Sequence, residues 1–596
     1  MSSNKACCWI LGILAGGFVL MALIIGWGIS NAISGGFQAK FEPQFEIEPN
    51  TWLYLNPSGS IADYSSEPNL GILGGGPGGS TLNEMTRALK LAGNDPNIAG
   101  VVVRPQGVTG MASLRELRNA ILEFRQSDKP VYAHLDVATD RDYYLASVCD
   151  SIFLMPGRLS GINFGGIGLS NTYVKSTFEK LGIKFHVFHA GRYKGAYEDF
   201  ARDSMSAEVR ESLTYLFNDI YKTYVEETAS SRSSVSFESL NREIMEGEEF
   251  IVSAQSCLNR GYVDGLNDWP VLKKRLQGGS EEFESITAHR YLNTTHASKL
   301  QVHSDEVAVL YAQGPIEFGD DSDVMQSDEI TASGLIKQLD NLAENDEVKA
   351  VVLRVNSPGG SALASKQILE SARRLKAKKP LIVSMGRIAA SGGYYISMAA
   401  DKIVVQPNTI TGSIGVVSMF PTAEELYRKI GAREETISIG RWANFFRIDK
   451  DLGSEQKAVL GSLMDSVYAE FREDVSTGRK LEMSIVDTVA EGRVWTGNQA
   501  VARGLADTLG GLDLAVKLAA TQANLVDDEY DVRYYPRERD VFNYIVDRFL
   551  SSVNLMLNVA NQLDTLYSTE AVKEKLKGFY NRFEFLQTVL PVSFDL

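Results

Sequence analysis

Ser391 stands immediately before Gly392 and Gly393 in the run Ser384-Met385-Gly386-Arg387-Ile388-Ala389-Ala390-Ser391-Gly392-Gly393-Tyr394-Tyr395. A hydroxyl in such a turn can attack a carbonyl if a base removes its proton and backbone N–H groups receive the charge that develops on the carbonyl oxygen. Gly360, in Asn356-Ser357-Pro358-Gly359-Gly360, and Gly392 are the candidate donors, because a glycine-rich turn opening a helix can aim its amides at one point. The base is less obvious. The six histidines are His134, His186, His189, His289, His296 and His303, so any imidazole would have to come from far upstream of Ser391. Lysine can serve when burial disfavours its charged form and lowers its pKa. Lys194, in Ala190-Gly191-Arg192-Tyr193-Lys194-Gly195-Ala196-Tyr197, is the candidate, and Ser413, in Thr411-Gly412-Ser413-Ile414-Gly415, could orient its amine through a hydrogen bond.

What joins such distant residues is an internal duplication. Gly100 to Arg104 (GVVVR) recurs 250 positions later as Ala350 to Arg354 (AVVLR), and Gly110 recurs as Gly360. At an offset of 251, Tyr143, Tyr144, Asp150 and Gly161 fall on Tyr394, Tyr395, Asp401 and Gly412; at 249, Gly191 and Arg192 fall on Gly440 and Arg441. At 243, Arg260, Gly261 and Asp264 fall on Arg503, Gly504 and Asp507, a drift that loop insertions leave behind. The two copies have lost complementary groups. The first has Asp140 where the second has Ser391, and the second has Ala443 where the first has Lys194. One composite site, with the hydroxyl from the second copy and the amine from the first, is the expectation. Each residue alone has a plainer reading: a serine before two glycines is usually a turn, Lys194 a solvated lysine beside Glu198 or Asp199, Pro-Gly-Gly a turn, and Ser413 a satisfied loop hydroxyl. The reciprocal loss is what surface drift has no reason to produce.

The elements that must position these groups are short β-branched runs, such as Val101 to Val103, Val131 to Ala133 and Val307 to Tyr311, alternating with helical patterns such as Leu114 to Phe124. The class is α/β. We expect an N-terminal repeat over 51–268, a linker over 269–305, a C-terminal repeat over 306–523 and a helical extension over 524–596. In the extension, Val541, Phe542, Ile545, Val546, Phe549, Leu550 and Val553 form one apolar helical face for packing on the body or on another subunit.

With 596 residues, 44% hydrophobic and 22% charged, the chain is long enough for two or three ordinary globular domains. A net charge of −16 argues against nucleic acid as a partner. Residues 6–29 carry no charge and are long enough to cross a lipid bilayer as a helix, so 1–33 reads as a cytoplasmic tail and transmembrane anchor. Lys5 precedes the run, and Glu42, Glu46 and Glu48 follow it, which places the large body on the exported side. Cys7 and Cys8 sit at the edge of this anchor. Cys149 and Cys257, the other two thiols, have neither metal-site nor disulfide spacing and read as buried apolar residues.

Together, Val355 to Ser361, Ser384 to Tyr395, Thr411 to Gly415, and Tyr193-Lys194 followed by Arg202-Asp203-Ser204-Met205-Ser206 resemble the signal peptide peptidase A family, also called protease IV, in its long form. The resemblance spans roughly residues 50–520 and the anchor. It implies tandem ClpP/crotonase-like domains and a membrane-anchored serine endopeptidase with a Ser/Lys dyad that degrades cleaved signal peptides. By matching position, Ser391 is the implied nucleophile, Lys194 the general base, Ser413 the residue that orients the lysine, and Gly360 with Gly392 the oxyanion donors. It also implies a homo-oligomer, commonly a tetramer, at a bacterial inner membrane with its body in the periplasm. No metal or organic cofactor is expected. The competing readings are a protease for other membrane-associated proteins, an inactive membrane-tethered scaffold, and an acyl-CoA enzyme of the crotonase type. The exported location and the lack of a basic cluster for nucleotide phosphates weigh against the last.

Overall fold

The computed structural model describes residues 47–66, 79–280, 282–294, 303–319, 329–526 and 529–537, together with the backbone of a short strand, Gln587–Thr588. The anchor expected over 6–29, Cys7, Cys8 and the apolar helical face over 541–553 lie outside these residues. Among the described residues, no helix is long and apolar enough to cross a membrane.

Each repeat is built on a parallel sheet. In the first, the strands Ser285–Thr287, Thr51–Leu55, Ile98–Val103, Val131–Leu135, Ser151–Leu154 and Gly265–Leu266 lie side by side in that order. The second repeats the order with Asp531–Tyr535, Glu306–Gln313, Val348–Ser357, Leu381–Ala390, Lys402–Val405 and Thr508–Leu509. Their strands are nearly continuous apolar runs, as expected for parallel sheets covered on both faces. Val101, Val102 and Val103 are fully buried, as are Val351, Val352 and Leu353. Helices such as Met111–Phe124 and Ala362–Lys376 cover them through Leu114, Leu117 and Ile121 in one case and Ile368, Leu369 and Ala372 in the other.

Two expected boundaries need correction. The stretch 269–305 is not a free linker: it forms the helix Trp269–Leu276, the edge strand Ser285–Thr287 of the first sheet, and the helix Ala288–Leu292, whose Tyr291 is buried. Likewise, the second repeat does not end at 523, because Asp531–Tyr535 is the matching edge strand of the second sheet and Tyr535 O–H donates to Glu306 at 2.7 Å. Edge strands this short carry too few residues to show a period, so Ser285–Thr287 reads by composition as linker and Asp531–Tyr535 as part of the helical extension.

The repeats are joined by polar contacts buried in the seam. Arg354, 1% exposed, donates from Nε to Asp63 at 2.9 Å, from one terminal nitrogen to Glu116 at 2.9 Å and from the other to the Ser384 hydroxyl at 2.9 Å. Asp63 and Glu116 belong to the first repeat and Arg354 to the second, so the guanidinium is neutralised only when the halves are docked. A second joint is a strand exchange. Lys184–Ala190 leaves its own repeat and pairs antiparallel with Val416–Thr422 of the second, from Val416 opposite Ala190 to Thr422 opposite Lys184. That exchange carries the next residues, Gly191 to Lys194, into the second repeat.

Candidate active site

Ser391 lies at the end of the strand Leu381–Ala390, just before the helical turn Gly392–Ile396. Its backbone, at φ 56 and ψ −117, is in a region that L residues rarely adopt. The conformation is held by its own N–H donating to Gly412 O at 2.8 Å and by Tyr395 N–H returning to Ser391 O at 2.8 Å. Glycine follows for steric reasons. A Cβ on Gly392 would lie 2.6 Å from Ser365 Oγ and 3.2 Å from Gly360 N, and one on Gly393 would lie 2.5 Å from Ser357 O. The Gly360 loop therefore packs directly on the serine turn. Gly360 is itself irreplaceable, since a Cβ there would fall 2.0 Å from Ile316 O.

The strand exchange delivers Lys194 to this point. Lys194 Nζ is 2.7 Å from Ser391 Oγ, 3.0 Å from Ser413 Oγ and 3.1 Å from Ser413 O. Lys194 is 1% exposed, and Ser391 and Ser413 are fully buried. No carboxylate pairs with the amine among the described residues. Glu198, suggested by sequence as its partner, instead accepts from Ser206 N–H at 2.9 Å. Burial without a counter-charge pulls the lysine down to about 7. The arrangement can hold a neutral amine against a serine hydroxyl near neutral pH, which is what proton abstraction requires. The histidines that could have competed are engaged elsewhere: His186 contacts Thr422 Oγ1 at 3.0 Å, and His189 is 3.1 Å from the Tyr197 hydroxyl.

The corresponding place in the first repeat is filled. Asp140, the counterpart of Ser391, accepts from Tyr224 O–H at 3.1 Å and Gly166 N–H at 3.0 Å, and burial pushes its carboxyl up to about 6. Asp142 takes the N–H groups of Gly107 and Val108 at 3.2 and 3.1 Å, so the loop matching the one before Gly360 is capped by a carboxylate. Ala443, the counterpart of Lys194, is exposed.

Keeping an amine in this pocket costs stability. The folded value of about 7 lies below the ordinary 10.5, so the unfolded chain binds the proton more tightly. The penalty is full below pH 7, shrinks as pH rises from about 7 to about 10.5, and vanishes above that. Lys194→Met should therefore stabilise the fold at pH 6 by up to a few kcal/mol, with the gain disappearing near pH 11. Denaturant midpoints of both proteins across pH check this, and a gain independent of pH would refute it.

The site includes parts that sequence reasoning missed. The turn Glu491 to Arg493 lies against both the Lys194 and Ser413 segments. Nothing in its composition distinguished it from an ordinary turn.

The chain matches peptidase family S49 over residues 123–281 and 373–526, and a Clp protease family over 301–411. Protease 4 of Salmonella typhi is 32% identical over 96% of this chain and 95% of its own length. Protease 4 of Haemophilus influenzae is 31% identical over 87% and 86%. The chloroplastic serine protease SPPA of Arabidopsis thaliana is 31% identical over 84% and 74%.

Proposed function

The chain belongs to peptidase family S49 and is a serine protease of the signal-peptide-peptidase type with a tandem Clp protease-like fold; from that premise we propose that it is a membrane-anchored endopeptidase working through a Ser391/Lys194 dyad. The observation that carries the reading is the 2.7 Å contact between Ser391 Oγ and a buried Lys194 amine that meets no carboxylate among the described residues. Neutral Lys194 takes the hydroxyl proton as Oγ attacks the peptide carbonyl, and the N–H groups of Gly360 and Gly392 receive the oxyanion. The Lys194 ammonium then protonates the departing amine. Water attacks the acyl-serine with Lys194 again as base, and the returning proton restores Ser391. Ser413 holds the amine on line through its hydroxyl and carbonyl.

The substrates are apolar peptides, foremost the signal peptides left in a membrane after their release from preproteins. Residues 6–29 would bring the body to that membrane, in bacteria the inner membrane with the body in the periplasm. Phe318 and Leu363 are exposed on segments adjoining the Gly360 loop, which suits apolar side chains in the substrate. In a quench of full-length protein turning over an apolar peptide ester, tandem mass spectrometry should find the acyl group on Ser391. An adduct on another residue, or turnover by Ser391→Ala at the wild-type rate, would overturn the dyad and return the scaffold or acyl-CoA readings.

The duplication also supports a homo-oligomer. The contact made within the chain by Lys184–Ala190 on Val416–Thr422 has a second potential copy, residues 433–439 on 165–171. Neither of these segments forms a strand here, and Ile437 and Ile439 are 97% and 94% exposed. A neighbouring copy of the chain would pair them. Repetition of that contact builds a closed ring, with a tetramer as the expected size.

A further inference from the structure

One turn touches both the segment that carries Lys194 and the segment that carries Ser413. Tyr193 N–H donates to Glu491 O, Gly492 N–H to Ile414 O and Ser413 N–H to Arg493 O, each at 2.8 Å. Three consecutive residues thus bind the segment that carries Lys194 on one side and the segment that carries Ser413 on the other. The fit leaves no slack. Gly492, at φ +75, packs its α-carbon against the lysine backbone: an added Cβ would lie 2.6 Å from Lys194 Cβ, 2.7 Å from Lys194 N and 2.8 Å from Lys194 Cα. Gly191 and Gly415 complete the contact. A Cβ on Gly191 would meet Glu491 C at 2.7 Å, and one on Gly415 would meet Ala190 O at 2.9 Å and Gly492 Cα at 3.0 Å.

Side chains fix the turn itself. Arg493 lies over the ring of Tyr193 at 4.8 Å and that of Trp495 at 5.0 Å, and pairs with Glu211 at 3.0 Å. Glu491 N–H donates to the Tyr468 hydroxyl at 3.0 Å, and the Glu491 carboxylate accepts from Arg192 N–H at 3.1 Å.

From this geometry we infer that the turn Glu491-Gly492-Arg493 is the positioning element that sets the Lys194 amine on Ser391 and Ser413, and that Gly492 fixes the distance. The inference rests on the dyad reading above. It adds residues that touch neither substrate nor reacting atoms and act only through the lysine. A displacement of about 1 Å in such a group costs roughly 10²-fold in rate. It also opens the amine to water, which returns its pKa toward the ordinary lysine value.

The test compares full-length wild type, Gly492→Ala, Gly504→Ala and Lys194→Ala on an apolar fluorogenic peptide ester. Gly504 has nearly the same φ, +74, but a Cβ there meets only the Leu481 side chain, nearest at 3.2 Å. It therefore pays the left-handed backbone cost away from the lysine. Gly492→Ala is expected to lower kcat about 10²-fold with KM nearly unchanged, and to move the pH midpoint of kcat/KM upward. Gly504→Ala should lose comparable stability yet keep the wild-type kcat and midpoint. Should Gly492→Ala not fold, Arg493→Ala keeps the backbone and removes the guanidinium from Tyr193; its kcat should fall about tenfold with the same upward shift. Wild-type kcat and midpoint in the folded Gly492→Ala protein, or in Arg493→Ala if it replaces it, overturn the positioning role while Lys194→Ala remains inactive. Full activity in Lys194→Ala would instead remove the dyad and the inference together.

Discussion

Lys194→Ala is expected to reduce kcat/KM on an apolar peptide ester by roughly 10⁴-fold or more, with Ser391→Ala losing at least as much. The size follows from how little else can do the lysine's work. Ser391 Oγ has the amine at 2.7 Å, and among the described residues neither a histidine nor a carboxylate bonds to it. The pH profile of the wild type should identify the base. Because burial brings Lys194 to about 7, kcat/KM should rise through a midpoint near 7 and stay high on the alkaline side, where the amine is neutral. An imidazole has a similar ordinary range, so the midpoint alone does not distinguish them. His186→Ala does: its ring is held by Thr422 and lies 3.5 Å from Asp451, so its loss should leave the midpoint in place. Ser413→Ala should cost less than either dyad change, since Ser413 O at 3.1 Å still receives the amine. A wild-type profile flat from pH 6 to 9, or one abolished by His186→Ala, would defeat the assignment.

Much of this was readable from residue types because the duplication supplied an internal comparison. Ser391 against Asp140, and Lys194 against Ala443, pointed to one shared site, and the structure brings Lys194, Ser391 and Ser413 within hydrogen-bond distance. Apolar runs such as Val101 to Val103 and Val307 to Tyr311 announced buried parallel strands because such strands need no alternation. The residues left unread depend on contacts distant in the chain. Ser285–Thr287 and Asp531–Tyr535 are strands only because an edge was available beside Thr51–Leu55 and Glu306–Gln313. Gly492 matters because of where Lys194 sits, some 300 positions earlier, and no local pattern encodes that. Arg354 looked like a repeat-matched partner of Arg104, but its two carboxylates come from different places. Arg104 meets Asp136 in its own repeat, whereas Arg354 reaches across the seam to Asp63 and Glu116.

Ile437→Asp combined with Ile439→Asp should abolish assembly while sparing the chemistry of each chain. The expected contact follows the register already present within the chain. Ser418 lies opposite Phe188 and Val416 opposite Ala190. Transferred by the repeat offsets, Ile437 of one copy falls opposite Ile167 of the next, and Ile439 opposite Gly165. Ile167 is only partly buried and packs on the first core, so it offers an apolar neighbour at the right place. The equivalent helices before each segment, Lys175–Leu181 and Glu424–Ile430, both end on a left-handed glycine, Gly182 and Gly431, so both segments leave the body in the same way. What differs is only that Lys184–Ala190 has found its partner. Two carboxylates buried at such a contact with no counter-charge would each cost several kcal/mol, enough to weaken association by roughly 10⁴-fold. Sedimentation of the detergent-solubilised full-length chain should then show wild type as a ring-sized oligomer and the double variant as a monomer. Because Lys194 and Ser391 meet within one chain, hydrolysis of a small ester per chain should persist in that monomer. An unchanged oligomer in the double variant would place the subunit contact on another face, and a monomeric wild type would remove the ring altogether.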